Sequence, residues 1–202
     1  MQVALFGGTF DPLHFGHVNL VDIILQRGLA EHVVFLPAYR PPHKDDKSDR
    51  TAFEIRLEML RNYLKRSKNC SVSDFEARNK EKSYTFNTMT ELKSKYPNHE
   101  FSWIIGSDSL LQLHTWHRAL ELARNFRFIT FPRPDYPVTP EEITPYWSTD
   151  IASKLLKSCL SDVPLFPVSS SAIRQMVRNG DDISQFVPPE IMQSIQTYSL
   201  YR

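Results

Sequence analysis

His14 and His17 stand three residues apart, where an apolar run gives way to a helical pattern, in the stretch ALFGGTFDPLHFGHVNL from Ala4 to Leu20. On a first helical turn that spacing lets both imidazoles face one way. Three chemistries are open to such a pair. They can be ordinary packed or hydrogen-bonded histidines. They can be a metal pair, which needs a third ligand and finds a sequence candidate in His43. Or they can donate to phosphate oxygens whose charge grows in a transition state. Gly7 and Gly8 just before them let the backbone turn tightly and approach a ligand closely. A helix starting near Phe15 aims its free N–H groups and positive dipole end at the same place, which makes an anion site. The glycines alone are a weak signal, since GGTFDP is neither a GxGxxG fingerprint nor a Walker A loop.

Two more stretches add cations. Lys44 closes the segment PPHK (41–44), and SSSAIR (169–174) offers a second helix N-terminus with hydroxyls and Arg174 one turn in. Each has a plain reading, a solvated loop lysine and a helix cap with a surface arginine. Together they supply two helix N-termini, two histidines, a lysine and an arginine. That exceeds the need of one monophosphate and suits a triphosphate tail.

The elements that must position these groups follow from periodicity. Apolar runs at 3–6, 32–37, 70–75, 100–106, 127–132 and 164–168 read as strands. Segments 15–29, 51–66, 85–96, 109–113, 117–125 and 169–180 read as helices, with Thr51 and Glu54 placed as a capping box and Gly180 as a stop. Strands that alternate with helices predict an α/β fold, a Rossmann-like doubly wound parallel sheet with helices on both faces. In such sheets ligands bind beyond the carboxyl ends of the strands, where Gly8 and Lys44 fall. The expected organisation is one domain over 1–202, with an irregular, Pro-containing stretch around 133–163 running over the surface. The charged, Pro-rich segment 38–50 has the composition of a lid.

Bulk properties narrow the partners. The 202 residues are 41% hydrophobic and 23% charged, with net charge +1, which points to neither a nucleic-acid nor a membrane surface. Cys70 and Cys159 lack metal spacing and read as reduced, packed thiols. With no basic leader and no run of membrane-spanning length, the expected location is the cytoplasm. Homo-oligomerisation is left open.

GGTFDPLHFGH resembles the HxGH signature of the nucleotidyltransferase superfamily, and VSSSAIR resembles its closing ISSTxIR motif. PPHK, SYTFNT (83–88) and IIGSDSLLQLHTWHR (104–118) make the chain similar to the bacterial nicotinate-mononucleotide adenylyltransferases. The resemblance implies transfer of adenylyl from ATP to nicotinate mononucleotide, giving deamido-NAD and pyrophosphate in NAD biosynthesis, with Mg²⁺ bound through substrate phosphates. It implies that Gly7, Gly8, Thr9 and Phe10 line the ATP site. His14 and His17 would hold the phosphates, with Ser170, Ser171 and Arg174 on the triphosphate tail. Gly106 and Asp108 would border the adenosine and the second substrate. Tyr84, Thr85 and Trp116 would hold the pyridine nucleotide, and Lys44 joins both the catalytic and the substrate-binding sets. Two positions depart from the family pattern. Ser171 stands where Thr is usual, and Asp135 stands where Gly is expected after Arg-Pro, which leaves that turn and any contact from Arg133 open.

The nucleophile of this reaction is already a phosphate anion. That agrees with the lack of a Ser-His-Asp set or an activated cysteine. Three rivals remain: nicotinamide mononucleotide as acceptor, phosphopantetheine adenylyltransferase, and a non-catalytic nucleotide-binding module. Chain length and GSDSLLQLHTW weigh against the second. Retention of His14, His17, Lys44 and Arg174 weighs against the third.

Overall fold

In β1 (Gln2–Gly8) successive side chains leave opposite faces of the strand, and both faces are apolar. Val3 and Leu5 enter one hydrophobic cluster, Ala4 and Phe6 another. A strand buried on both sides needs helices on both sides. The computed structural model, which describes residues 1–39, 50–78, 84–164, 166 and 168–202, supplies them. β2 (His32–Pro37), β3 (Cys70–Val72), β4 (Glu100–Gly106) and β5 (Arg127–Phe131) join β1 in a sheet of order β3-β2-β1-β4-β5. Every pairing is parallel, with Leu5 beside Val34 on one flank and Trp103 on the other. The predicted doubly wound α/β architecture is therefore the one found.

One face is covered by α1 (Phe15–Gln26), α2 (Phe53–Leu64), α9 (Ser170–Asn179) and α10 (Pro189–Thr197). They bury Leu20, Ile24, Leu60, Ile173 and Ile191 against Phe6, Phe35 and Ile129. The other face carries α4 (Thr85–Lys95), α6 (Ala119–Asn125) and α8 (Thr149–Lys157), which bring Met89, Leu122 and Leu155 onto Leu5, Trp103 and Phe128. Short helices α3 (Phe75–Arg78), α5 (Ser107–Leu111) and α7 (Pro140–Ile143) and a 3₁₀ turn (Leu113–Thr115) complete the described chain. None of its helices is long and apolar enough to cross a membrane.

Several expectations are corrected. The stretch 133–160 keeps its exposed start at 133–137 but is not irregular throughout: it forms α7 and α8 and adds to the core. Pro140 starts α7 at a position where a proline costs no hydrogen bond, and Ile143, Trp147, Ile151, Ala152 and Leu155 are core. Pro164, Phe166 and Val168 lie in no strand, and residues 165 and 167 are outside the described set. The parallel bridge beside β5 is made earlier, between Thr130 and Cys159. Strand β3 stops at Val72, and Phe75 opens α3 instead. Thr51 does not cap α2. Its N-cap is Ala52, without a side-chain bond, because Thr51 faces Asp11 and Arg56. The helix expected from His117 begins at Ala119, since Arg118 is left-handed at φ 52°. α1 ends at Gln26, and Gly28 takes φ +64° just beyond it. The last helix, α10, was not anticipated. The segment 40–49, which includes His43, Lys44 and most of the expected lid, lies outside the described residues, as does Ser83.

Candidate active site

The strand order reverses between β1 and β4, because β2 lies on one side of β1 and β4 on the other. Their carboxyl ends therefore splay apart into a crevice, the place where such sheets take ligands. A cleft of about 840 Å³ opens there, large enough for two nucleotides side by side. Its floor is Gly7 and Gly8 at the end of β1 and Gly106 at the end of β4. A Cβ on Gly7 would stand 2.5 Å from Cζ2 of the buried Trp103, so only a glycine lets the backbone lie against that ring. Thr9 and Phe10 continue the floor into the loop before α1.

His14 is the N-cap of α1 and His17 sits one turn in. The two rings lie 3.8 Å apart, and the His14 backbone N–H donates to His17 Nδ1 at 3.3 Å. An accepting Nδ1 puts the proton of a neutral His17 on Nε2. His17 also packs against Phe6 and Phe10. Burial, with the charge of Arg133 behind it, pulls His14 down to about 4 from its ordinary 6.5. Burial, His14 and Arg133 together hold His17 well below that ordinary value. Both are neutral donors at pH 7.

α9 brings its N-terminus to the same crevice. Ser169 caps it, accepting from the Ala172 N–H at 3.1 Å. Ser170 Oγ donates to the Pro12 carbonyl at 2.9 Å and so ties α9 to the loop before α1. Arg174 donates through Nη1 to the Asp11 carbonyl at 2.9 Å and through Nη2 to Ser171 Oγ at 3.2 Å. Among the described residues four buried side-chain polar atoms lack a hydrogen-bond partner. Three of them, His14 Nδ1, Arg174 Nε and Asp108 Oδ1, belong to residues lining this cleft. Buried polar atoms are normally paired, so three such atoms in one cleft are the signature of a site built for a polar ligand.

Across the floor lie Tyr84 and Thr85 at the start of α4, with Trp116 half-buried against the core. Every predicted site residue within the described chain lines this one cleft; Lys44 is outside that chain. The cleft also holds His117, which the sequence reading did not place in the site, and Arg133, whose contact that reading left open. His117 packs against Tyr84 with ring centres 4.5 Å apart and the planes tilted by 32°. Arg133, just past β5, lies 3.8 Å from Asp108 Oδ1 with its guanidinium over Phe131. The turn beside it is resolved: Asp135 takes φ 65°, the left-handed conformation that asparagine and aspartate tolerate best after glycine. Position at a strand's carboxyl end was the signal available for Arg133. Arg56 gave none. It is buried, donating to the carbonyls of Thr9 at 2.6 Å, Ala38 at 2.8 Å and Thr51 at 3.0 Å, behind the floor. His32, His99 and His114 do not line the cleft.

The cytidylyltransferase-like family model matches residues 5–176. A relative in Exiguobacterium sibiricum, described as a probable nicotinate-nucleotide adenylyltransferase, is 38% identical over 100% of this chain and 99% of its own. One of the same description in Clostridium tetani is 32% identical over 98% of each chain. The chain belongs to the nicotinate-nucleotide adenylyltransferases of the cytidylyltransferase-like family. The fold agrees. The nicotinic acid mononucleotide adenylyltransferase of Plasmodium falciparum, solved in complex with NaAD, superposes with a TM-score of 0.77 at 21% identity over 99% of this chain and 97% of that one. As a member of this family the chain is a nucleotidyltransferase with a Rossmann-like sheet.

Proposed function

We propose that the protein transfers the adenylyl group of ATP to nicotinate mononucleotide, forming deamido-NAD and pyrophosphate. The observation that carries the reading is the gathering of His14, His17, Arg174 and the α9 N-terminus at one end of a single cleft, with Tyr84, Thr85 and Trp116 at the other. An oxygen of the mononucleotide phosphate attacks the α-phosphorus of ATP. The bond from that phosphorus to the bridging oxygen breaks, and pyrophosphate leaves with the electron pair. An anionic nucleophile needs no base. The work is to align two polyanions and stabilise charge on the departing oxygens.

His17 Nε2–H and the His14 ring are preorganised neutral donors for those oxygens. Neutral imidazoles on a helix N-terminus hold a phosphate without gripping the ground state as tightly as fixed cations would. Arg174 supplies the cation at the triphosphate tail, in company with Ser170 and Ser171. Gly106 and Asp108 border the adenosine. Trp116 presents a ring face to the pyridine, and the free N–H groups at the start of α4 face its carboxylate. Lys44 belongs to the same proposal.

The donor set of the cleft, imidazole, guanidinium, hydroxyl and amide, fits phosphate rather than a hard cation. Among its carboxylates, Asp11 already accepts from Tyr201 and Thr51, and Asp108 stands beside Arg133. Mg²⁺ would be held through the substrate phosphates, where it would neutralise their charge. The reading carries with it a cytoplasmic enzyme.

The test is pyrophosphate release with ATP and Mg²⁺ in the presence of nicotinate mononucleotide, nicotinamide mononucleotide or phosphopantetheine. Strong preference for the first is expected. Preference for either of the others would move the acceptor assignment, and silence with all three would leave a nucleotide-binding module.

A further inference from the structure

Asp11 is an acid on the wall of a cleft that must receive polyanions, and it is only 3% exposed. Both of its carboxylate oxygens are occupied from behind. Tyr201, 190 residues away in sequence, donates its hydroxyl to Oδ1 at 2.6 Å. The Thr51 backbone N–H donates to Oδ2 at 3.1 Å. The charge of Arg56 lies close enough to couple to both Asp11 and Tyr201. The Thr51 side chain in turn hydrogen-bonds the Tyr201 oxygen. The front of Asp11 is its backbone carbonyl, and that carbonyl holds Nη1 of Arg174, leaving the buried Nε of Arg174 unpartnered.

Tyr201 reaches Asp11 because the chain turns back after α10. Ser199 and Tyr201 take φ 48° and 62°, and the Leu200 N–H donates to the Ile195 carbonyl at 3.0 Å. Left-handed backbone is uncommon for a tyrosine, and here it delivers a phenol to a carboxylate. Burial and Asp11 raise the Tyr201 hydroxyl far above its ordinary value, so it remains a donor at every physiological pH.

We infer that Tyr201 is a positioning residue for adenylyl transfer: its hydroxyl holds the Asp11 carboxylate away from the substrate phosphates and, through the Asp11 carbonyl, aims Arg174 at the triphosphate. This rests on the reading of the cleft given above. Tyr201 touches no substrate. It acts on the ATP end alone, because nothing in this chain of bonds runs to Tyr84, Thr85 or Trp116.

The test uses the full chain. Tyr201→Phe keeps the ring and removes the hydroxyl. We expect kcat/KM for ATP to fall about tenfold, the scale of a hydrogen bond to a charged group, with KM for nicotinate mononucleotide within about twofold. Combined with Arg174→Lys, the two losses should be less than multiplicative, since both act on one contact. A Tyr201→Phe enzyme within about twofold of wild type overturns the inference, as do equal losses for both substrates or fully multiplicative effects. Thr51→Val covers the case in which Tyr201→Phe folds poorly. It removes only the hydroxyl that holds the Tyr201 oxygen and should give an ATP-selective loss of about threefold; no ATP-selective loss counts against the inference. Were the wild type to turn over no acceptor, the functional reading would fail by itself. Calorimetric ATP binding would still judge Tyr201, with about tenfold weakening by Tyr201→Phe upholding it and unchanged binding overturning it.

Discussion

The two ends of the cleft are built differently. At the phosphate end His14 and Asp11 are buried, and Asp11, Arg174 and Ser170 are tied to one another or to fixed backbone through short hydrogen bonds. At the acceptor end Tyr84, Thr85 and Trp116 are half-buried, His117 is exposed, and Tyr84 meets His117 in a tilted ring contact. The contrast follows the chemistry. Charge that develops on phosphate oxygens is stabilised best by donors fixed in advance. A flat aromatic ligand is held by stacking and area, which tolerate looser placement.

Breaking the phosphate end should cost most. His17→Ala removes one preorganised donor and should lower kcat on the order of 10²-fold or more, with the fold intact. A normally folded variant with near wild-type kcat would dissolve the distinction between the two ends. The same end should also show in acid. As pH falls below 6.5, unfolded His14 takes up a proton that the folded site refuses until about pH 4. The unfolded chain then binds more protons, so stability is lost across that window, by up to about 3 kcal/mol; His17 adds in the same direction. Urea unfolding between pH 7 and 4.5 should show a shallower decline for His14→Gln than for wild type. Parallel profiles would mean that the imidazole charges freely.

Gly7→Ala tests the floor shared by both ends. The new Cβ meets Trp103, which is 5% exposed and has little room to retreat. A loss of about 2 kcal/mol is expected from such overpacking, read as a lower denaturation midpoint. The smallest effect belongs to the acceptor end. Trp116→Ala should raise KM for the pyridine nucleotide about tenfold, the worth of one aromatic stack, and leave that for ATP within about twofold. Equal weakening of both would make Trp116 a core residue that serves the whole cleft.

The difference between the ends also marks what could be read in advance. His14, His17, Ser170, Ser171 and Arg174 sit in two local stretches whose spacing announces a helix N-terminus, and the structure brings those stretches to one place. His117 adjoins a residue that was chosen and was missed because an exposed histidine carries no local signal. Thr51 was read as a cap because capping rules are local. It is drawn instead to Asp11 and Arg56, neither of which a local rule can see. The prolines around α7 suggested irregular surface chain, yet a proline that begins a helix is compatible with a buried Ile143 three residues on.

From the sequence by itself came the strands and most of the helices, the parallel sheet they imply, and the anion-binding character of two helix starts. All of these depend on periodicity and on neighbours a few residues apart. Tertiary structure alone decided that β1 and β4 lie side by side so that their ends part into a cleft, that both histidines are neutral, that Arg56 is buried beneath the floor, and that Tyr201 closes on Asp11. Each of these is a matter of desolvation and of contacts between distant residues, and such energies exist only once the chain has folded.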